Sequence, residues 1–202
     1  MTGVQTCVLP ILHTWIVQYM DDYSRLRKIR AYAETNESAF LGLDHLNYVY
    51  NGFEAHPLHY LPIQWLRCDN GSFRRAKETQ TALEALDITM PPQMPEQKGG
   101  TAKVENRFRS LWGEFELRLA SKLGGSGARL WLSEFNEELE LFSLSELEKR
   151  HPFRRDMTKG EVYAQSLSDR SIQQRTTDVD VIRMACKVEY RRVDGSLRVG
   201  LN

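Results

Sequence analysis

Two carboxylates in distinct settings are the residues of this chain best placed to do chemistry. Asp69 ends the run Ile63-Gln64-Trp65-Leu66-Arg67-Cys68-Asp69 and is followed at once by Asn70-Gly71-Ser72. Glu105 lies in Lys98-Gly99-Gly100-Thr101-Ala102-Lys103-Val104-Glu105-Asn106-Arg107-Phe108, where an amphipathic stretch opens. Thirty-five residues separate the two acids. An acid at the C-terminal end of a strand and another on a later helix can converge on one crevice beside a sheet. Carboxylates in such a crevice, together with substrate phosphates, hold hard divalent cations such as Mg²⁺. Each acid alone has an ordinary explanation. Asp-Asn-Gly-Ser is a common turn before a helix, and a glutamate near a helix N-terminus suits the helix dipole.

The elements that must position these acids follow from pattern. Thr14 to Met20 reads as a buried strand, Asp21-Asp22-Tyr23-Ser24-Arg25 as a turn, and Leu26 to Ala33 as a returning strand with Ile29, Ala31 and Ala33 on one side. Thr35-Asn36-Glu37-Ser38 offers helix caps. Phe40, Leu43, Leu46, Val49 and Tyr50 then recur at helical spacing through about Asn51, so this helix should cover one face of the sheet. A strand at Ile63 to Arg67, a helix from Phe73 to Leu86 and a short strand at Asp87 to Met90 follow. Pro91 to Gly100 is a proline- and glycine-rich loop. The helix from about Thr101 to Ser121 carries Val104, Phe108, Leu111, Phe115 and Leu119 as a core stripe, with Glu105 at its border. A further helix, Leu130 to Leu147, bears Glu134, Glu137, Glu138 and Glu140, most simply a solvated face.

The context of Asp69, the distance to Glu105 and this order of elements together resemble the integrase and transposase catalytic core. In that family two Asp and one Glu bind the metals, the last two acids are 35 residues apart, and the middle Asp sits in Asp-Asn-Gly-Ser. The resemblance implies a ribonuclease H-like α/β fold, a mixed sheet flanked by helices, over residues 12–150. It implies metal-dependent DNA cleavage and strand transfer, with Asp69 and Glu105 as catalytic residues and ligands of two Mg²⁺ (or Mn²⁺) ions. It further implies DNA partners (element ends and target) and a homo-multimer assembled on DNA in the bacterial cytoplasm. Asn70 and Ser72 could orient the Asp69 carboxylate or contact phosphate. Lys98, in the loop that borders the active site in the family, and Lys103, Arg107 and Arg109 on the following helix are candidate DNA contacts; a solvated role serves Lys98 equally well.

The third acid of the family pattern stands one strand before Thr14, and no acid occurs there. Residues 1–11 do not fit the fold. They lack the basic segment and cleavage site of a signal peptide, and they resemble translated adapter read-through rather than a native strand. Asp21 and Asp22 are the alternative third ligand, but the family's Asp-x-x-Ser-Arg turn is structural. The expectation is a chain of transposase lineage that is itself inactive. The tail, 151–202, resembles the start of the small β-barrel that follows the core in phage Mu-type transposases and their insertion-sequence relatives. His151-Pro152-Phe153 reads as the linker, and Val193-Asp194-Gly195-Ser196 as a hairpin turn.

Bulk properties exclude little. Lys+Arg and Asp+Glu are 27 each, so net charge gives no support for nucleic-acid binding and only local clustering can. Cys7, Cys68 and Cys186 are isolated, which suits reduced thiols. No apolar run approaches the length of a membrane span. His45, His56 and His59 suggest zinc, but only one close pair exists and no second pair matches it. A ribonuclease H-like nuclease and a non-catalytic DNA-binding remnant are the rival readings.

Overall fold

The structure is a computed structural model that describes residues 13–34, 39–60, 63–68, 71–92, 99–124 and 130–169. Its centre is an antiparallel hairpin of β1 (His13–Met20) and β2 (Arg27–Glu34), paired from His13↔Glu34 to Met20↔Arg27. Directly opposed residues share a face, so Ile16 with Ala31 and Gln18 with Ile29 point one way, and Tyr19 with Lys28 the other. Helices cover both sides. On the first face Ile29 and Ala31 pack with Leu111 and Phe115 of α4 (Gly99–Leu123) and Leu139 and Phe142 of α5 (Leu132–Ser145). On the second, Tyr19 joins a cluster of Leu46, Val49 and Tyr50 from α1 (Ala39–Asn51) with Ile63, Leu83, Leu86 and Ile88. The result is a mixed helix–strand arrangement with the hairpin enclosed between helical layers.

The β1–β2 turn is built as the sequence suggests. The Asp21 carboxylate accepts from the Ser24 amide (2.7 Å) and hydroxyl (2.6 Å), Asp22 pairs with Arg25, and Arg25 adopts φ 64°. The segments 63–68 and 86–90 meet in one parallel bridge, Trp65↔Thr89, through Leu66 N–H to Thr89 O (3.0 Å) and Thr89 N–H to Gln64 O (2.9 Å). Neither segment forms a strand among the described residues; the two short strands expected here reduce to this one bridge.

Three expectations change. The helix read from Phe73 to Leu86 is two helices, α2 (Ser72–Arg75) and α3 (Lys77–Ala85), broken where Ala76 is extended at ψ 137°. The break lets Phe73 dock on α1 while Thr79, Ala82 and Leu83 of α3 are buried. The acidic run of α5 is not one solvated face. Glu134 bonds the Trp131 amide at the helix start (2.7 Å), Glu138 is buried beside Lys122, and Glu140 accepts from Tyr48 OH (3.1 Å), leaving Glu137 exposed. Finally, His151 is a buried anchor rather than part of a departing linker. A tight bend after it leads into α6 (Lys159–Asp169), whose Tyr163 packs with Leu26 and Leu58. The strands expected from Arg170 onward lie outside the described residues.

Candidate active site

The candidate site is approached from two directions in the fold. The segment Ile63–Cys68 enters beside Ile88–Met90, with Ile63 buried in the α1–α3 cluster and Cys68 Sγ 3.7 Å from Met90 Sδ. Asp69 and Asn70 follow Cys68 in sequence and lie outside the described residues, as does Lys98. Ser72 is the first residue of α2 and half-buried. Glu105, Lys103, Arg107 and Arg109 belong to the first three turns of α4; their backbone is helical, and their side chains lie outside the described set. One turn beyond Glu105, Phe108 packs against the hairpin cluster.

Two devices that pattern reading missed hold the segment after Asp69. Gly42 of α1 leaves room for the Phe73 ring: a Cβ at Gly42 would stand 2.0 Å from Phe73 Cδ2. A glycine inside a helix costs about 1 kcal/mol relative to alanine, so its presence here reflects the close approach of α2. Next, Arg74 Nη2 donates to the carbonyl of Pro91. That bond ties α2 to the start of the proline-rich loop and thus links the chain just after the first acid with the chain leading to the second. Docking of Phe73 had a legible trace in the glycine itself; the Arg74 bond had none.

The remaining candidates go to local duties. His45 Nδ1 lies 3.1 Å from Tyr32 OH, His56 Nδ1 accepts from Leu58 N–H (3.2 Å), and His59 Nδ1 lies 3.4 Å from Gly52 O. Burial, then Lys28 and Arg30, lowers His45 to about 3. Burial and Lys28 lower His56 to about 4 against smaller opposing effects of the Ser143 backbone and Glu146. Among the described residues no three His, Cys, Asp or Glu side chains converge in a metal-binding group. The donors that the sequence offers, Asp69 and Glu105, are hard oxygen ligands and fit Mg²⁺ or Mn²⁺ chemically. Among the described residues, no helix is long and apolar enough to cross a membrane.

No protein-family model and no curated protein matches the sequence. Among solved structures, the chain is similar to the catalytic core domain of BIV integrase, at 22% identity over 78% of this chain and 90% of that one, with a TM-score of 0.49. It is also similar to a chain of a simian T-cell lymphotropic virus intasome solved in complex with PP2A regulatory subunit B56 gamma, at 13% identity over 81% of this chain and 58% of that one, with a TM-score of 0.45.

Proposed function

We propose that this chain is the catalytic core of a DNA transposase or integrase of the Mu-type insertion-sequence group. The carrying observation is the pair Asp69 and Glu105, in its Asp-Asn-Gly-Ser context and at its 35-residue spacing. What supports it in the fold is the placement of the flanking segments: a strand-like run leading to Asp69, bridged in parallel to 86–90, and a long helix carrying Glu105 against a helix-covered hairpin. Asp69 and Glu105 would hold two divalent ions, which supply charge neutralisation at the scissile phosphate and activation of the attacking water or 3′-hydroxyl. Asn70 and Ser72 would orient the Asp69 carboxylate, and Lys98, Lys103, Arg107 and Arg109 would pair with DNA phosphates. The partners would be element ends and target DNA, held by a multimer of this chain.

The third acid is not supplied by β1, which carries none. In the following turn Asp21 binds Ser24 and Asp22 pairs with Arg25, a structural use of both. We therefore expect this polypeptide by itself to bind DNA but not to transfer strands. The test is a Mg²⁺- or Mn²⁺-dependent strand-transfer assay of the chain as it stands and of a version whose first eleven residues are replaced by an Asp-containing strand. Activity confined to the second version, and abolished there by Glu105→Gln, is the expected result. Activity of the unaltered chain would make Asp21 or Asp22 the third ligand and overturn the structural reading of the turn.

A further inference from the structure

We propose that the concavity between the β1–β2 turn and the bend at 150–158 is a second nucleic-acid site, one that stacks an unpaired base on Phe153 and pairs the adjoining phosphate with Arg154. It rests on the DNA reading above only for the choice of DNA as the nucleic acid. The cavity has a volume of about 450 Å³ and lies beyond the hairpin turn, built from residues that the metal chemistry does not use.

The bend is a preformed structure. His151 is buried, and its Nδ1 accepts from the amides of Phe153 (3.3 Å) and Arg154 (3.0 Å). With Nδ1 accepting, the ring proton sits on Nε2 and is donated to the Tyr23 carbonyl at 3.1 Å. Arg150 pairs with Thr158 across the base of the bend, where His151 N–H donates to Met157 O (2.9 Å). Held this way, Phe153 is 79% exposed, the highest value among the exposed large apolar side chains described. The Arg25 guanidinium lies 5.8 Å from its ring centre, and that of Arg154 lies 5.0 Å from the ring of Tyr23.

The chemistry of these groups selects the ligand. An exposed ring beside planar guanidiniums is the arrangement that stacks unpaired bases while holding the backbone. Arg154 has five N–H donors, of which Gln165 (3.1 Å) and Tyr23 OH take two, so donors remain for a phosphate fork. The acids of the pocket are already engaged, Asp21 with Ser24 and Asp22 with Arg25. An acidic peptide could use Arg154 but offers no flat face to the exposed Phe153 ring, which within the chain meets Arg25 and the edge of His151. A duplex hides the base faces the ring needs, so the ligand is single-stranded.

The test is fluorescence anisotropy of a labelled ten-nucleotide oligo-dT with the full chain in EDTA. Without metal, failure of the strand-transfer reading and failure of this one are separate results. Phe153→Ala should weaken oligo-dT binding about tenfold, as base-stacking residues do, and leave affinity for a blunt duplex unchanged. Arg154→Ala should weaken binding and reduce the salt slope by about 0.7, the contribution of one phosphate on a single strand. Phe153 is exposed, so its variant keeps the fold, to be verified by an unchanged melting curve, even if Arg154→Ala does not. Unchanged oligo-dT affinity in Phe153→Ala would overturn the proposal. So would displacement of the oligonucleotide by oligo-glutamate equally well from the wild type and from Phe153→Ala, which would make the pocket a carboxylate site.

Discussion

Arg27 and Glu146 meet as fork and carboxylate in the interior, with Nε to Oε2 at 2.9 Å and Nη2 to Oε1 at 3.0 Å. Both side chains are almost wholly removed from solvent. Lys159 Nζ reaches the same carboxylate at 2.8 Å, so one glutamate joins β2, the turn after α5 and the start of α6. Burial alone would raise the Glu146 carboxyl; Arg27 and Lys159, through charge and hydrogen bonds, win and hold it at about 2. Removing one partner of such a group leaves charge buried without compensation, at a cost of about 3–5 kcal/mol. Glu146→Ala should therefore lose stability on that scale in urea unfolding, whereas exposed Glu137→Ala should change it little.

Acid should destabilise the protein in two successive windows. His45 and His56 are buried neutral, with folded values of about 3 and about 4 against an ordinary 6.5. The unfolded chain therefore binds more protons than the folded one below 6.5, and stability falls as pH drops from there towards 4. The slope approaches about 1.4 kcal/mol per pH unit for each such proton. Glu146, depressed from 4.5 to about 2, adds a loss as pH falls between those values. Urea midpoints measured from pH 7 to pH 4 should decline, and His56→Gln should flatten part of that decline. A profile level down to pH 5 would mean that these histidines are not buried neutral.

Lys28 extends the same trend above neutrality. Its amine is buried under the end of α1, donating to the carbonyls of Val49 (2.9 Å) and Gly52, and desolvation lowers it to about 7 against a smaller opposing pull from Glu140. Between 7 and 10.5 the unfolded chain holds the proton that the folded chain has lost, so this group's contribution to stability rises with pH. The wild type should gain stability from pH 7 to pH 9 relative to Lys28→Met. Equal trends in the two proteins would contradict the assignment.

Gly42→Ala tests whether α2 is docked as described. The added methyl group meets the Phe73 ring, and the clash should cost about 1–3 kcal/mol. Phe73→Leu in the same background should recover part of that loss, because the smaller side chain gives way. Simple loss of helix glycine would instead stabilise, by up to about 1 kcal/mol.

These residues also show where pattern reading stops. The hairpin, α1, α4 and α5 were legible because each buries one stripe, and Ile29 with Ala31 or Leu111 with Phe115 repeats at the period of its element. Arg27, Lys28 and Glu146 were not, since the hydrophobic pattern classes a charge as surface and its partner lies over a hundred residues away or on a helix end. The break at Ala76 was missed because the sequence there is helix-compatible and the docking of Phe73 on Gly42 decides it. His151-Pro152-Phe153 reads as a linker because His151 looks like an ordinary loop residue until Tyr23 is beside it. Of the candidate site, identity and spacing of the acids came from sequence; what holds α2 through Arg74 and Pro91 required tertiary contacts.

If Asp69 and Glu105 share metal, as proposed, a double-mutant cycle on Mn²⁺ affinity will show it. Titrations followed by paramagnetic resonance would compare the wild type, Asp69→Asn, Glu105→Gln and the double variant, all in the presence of DNA. A shared site predicts that either single change removes most of the binding and that the second adds little, the non-additivity of groups acting on one ligand. Unchanged Mn²⁺ affinity in both single variants, or losses that simply add, would contradict it.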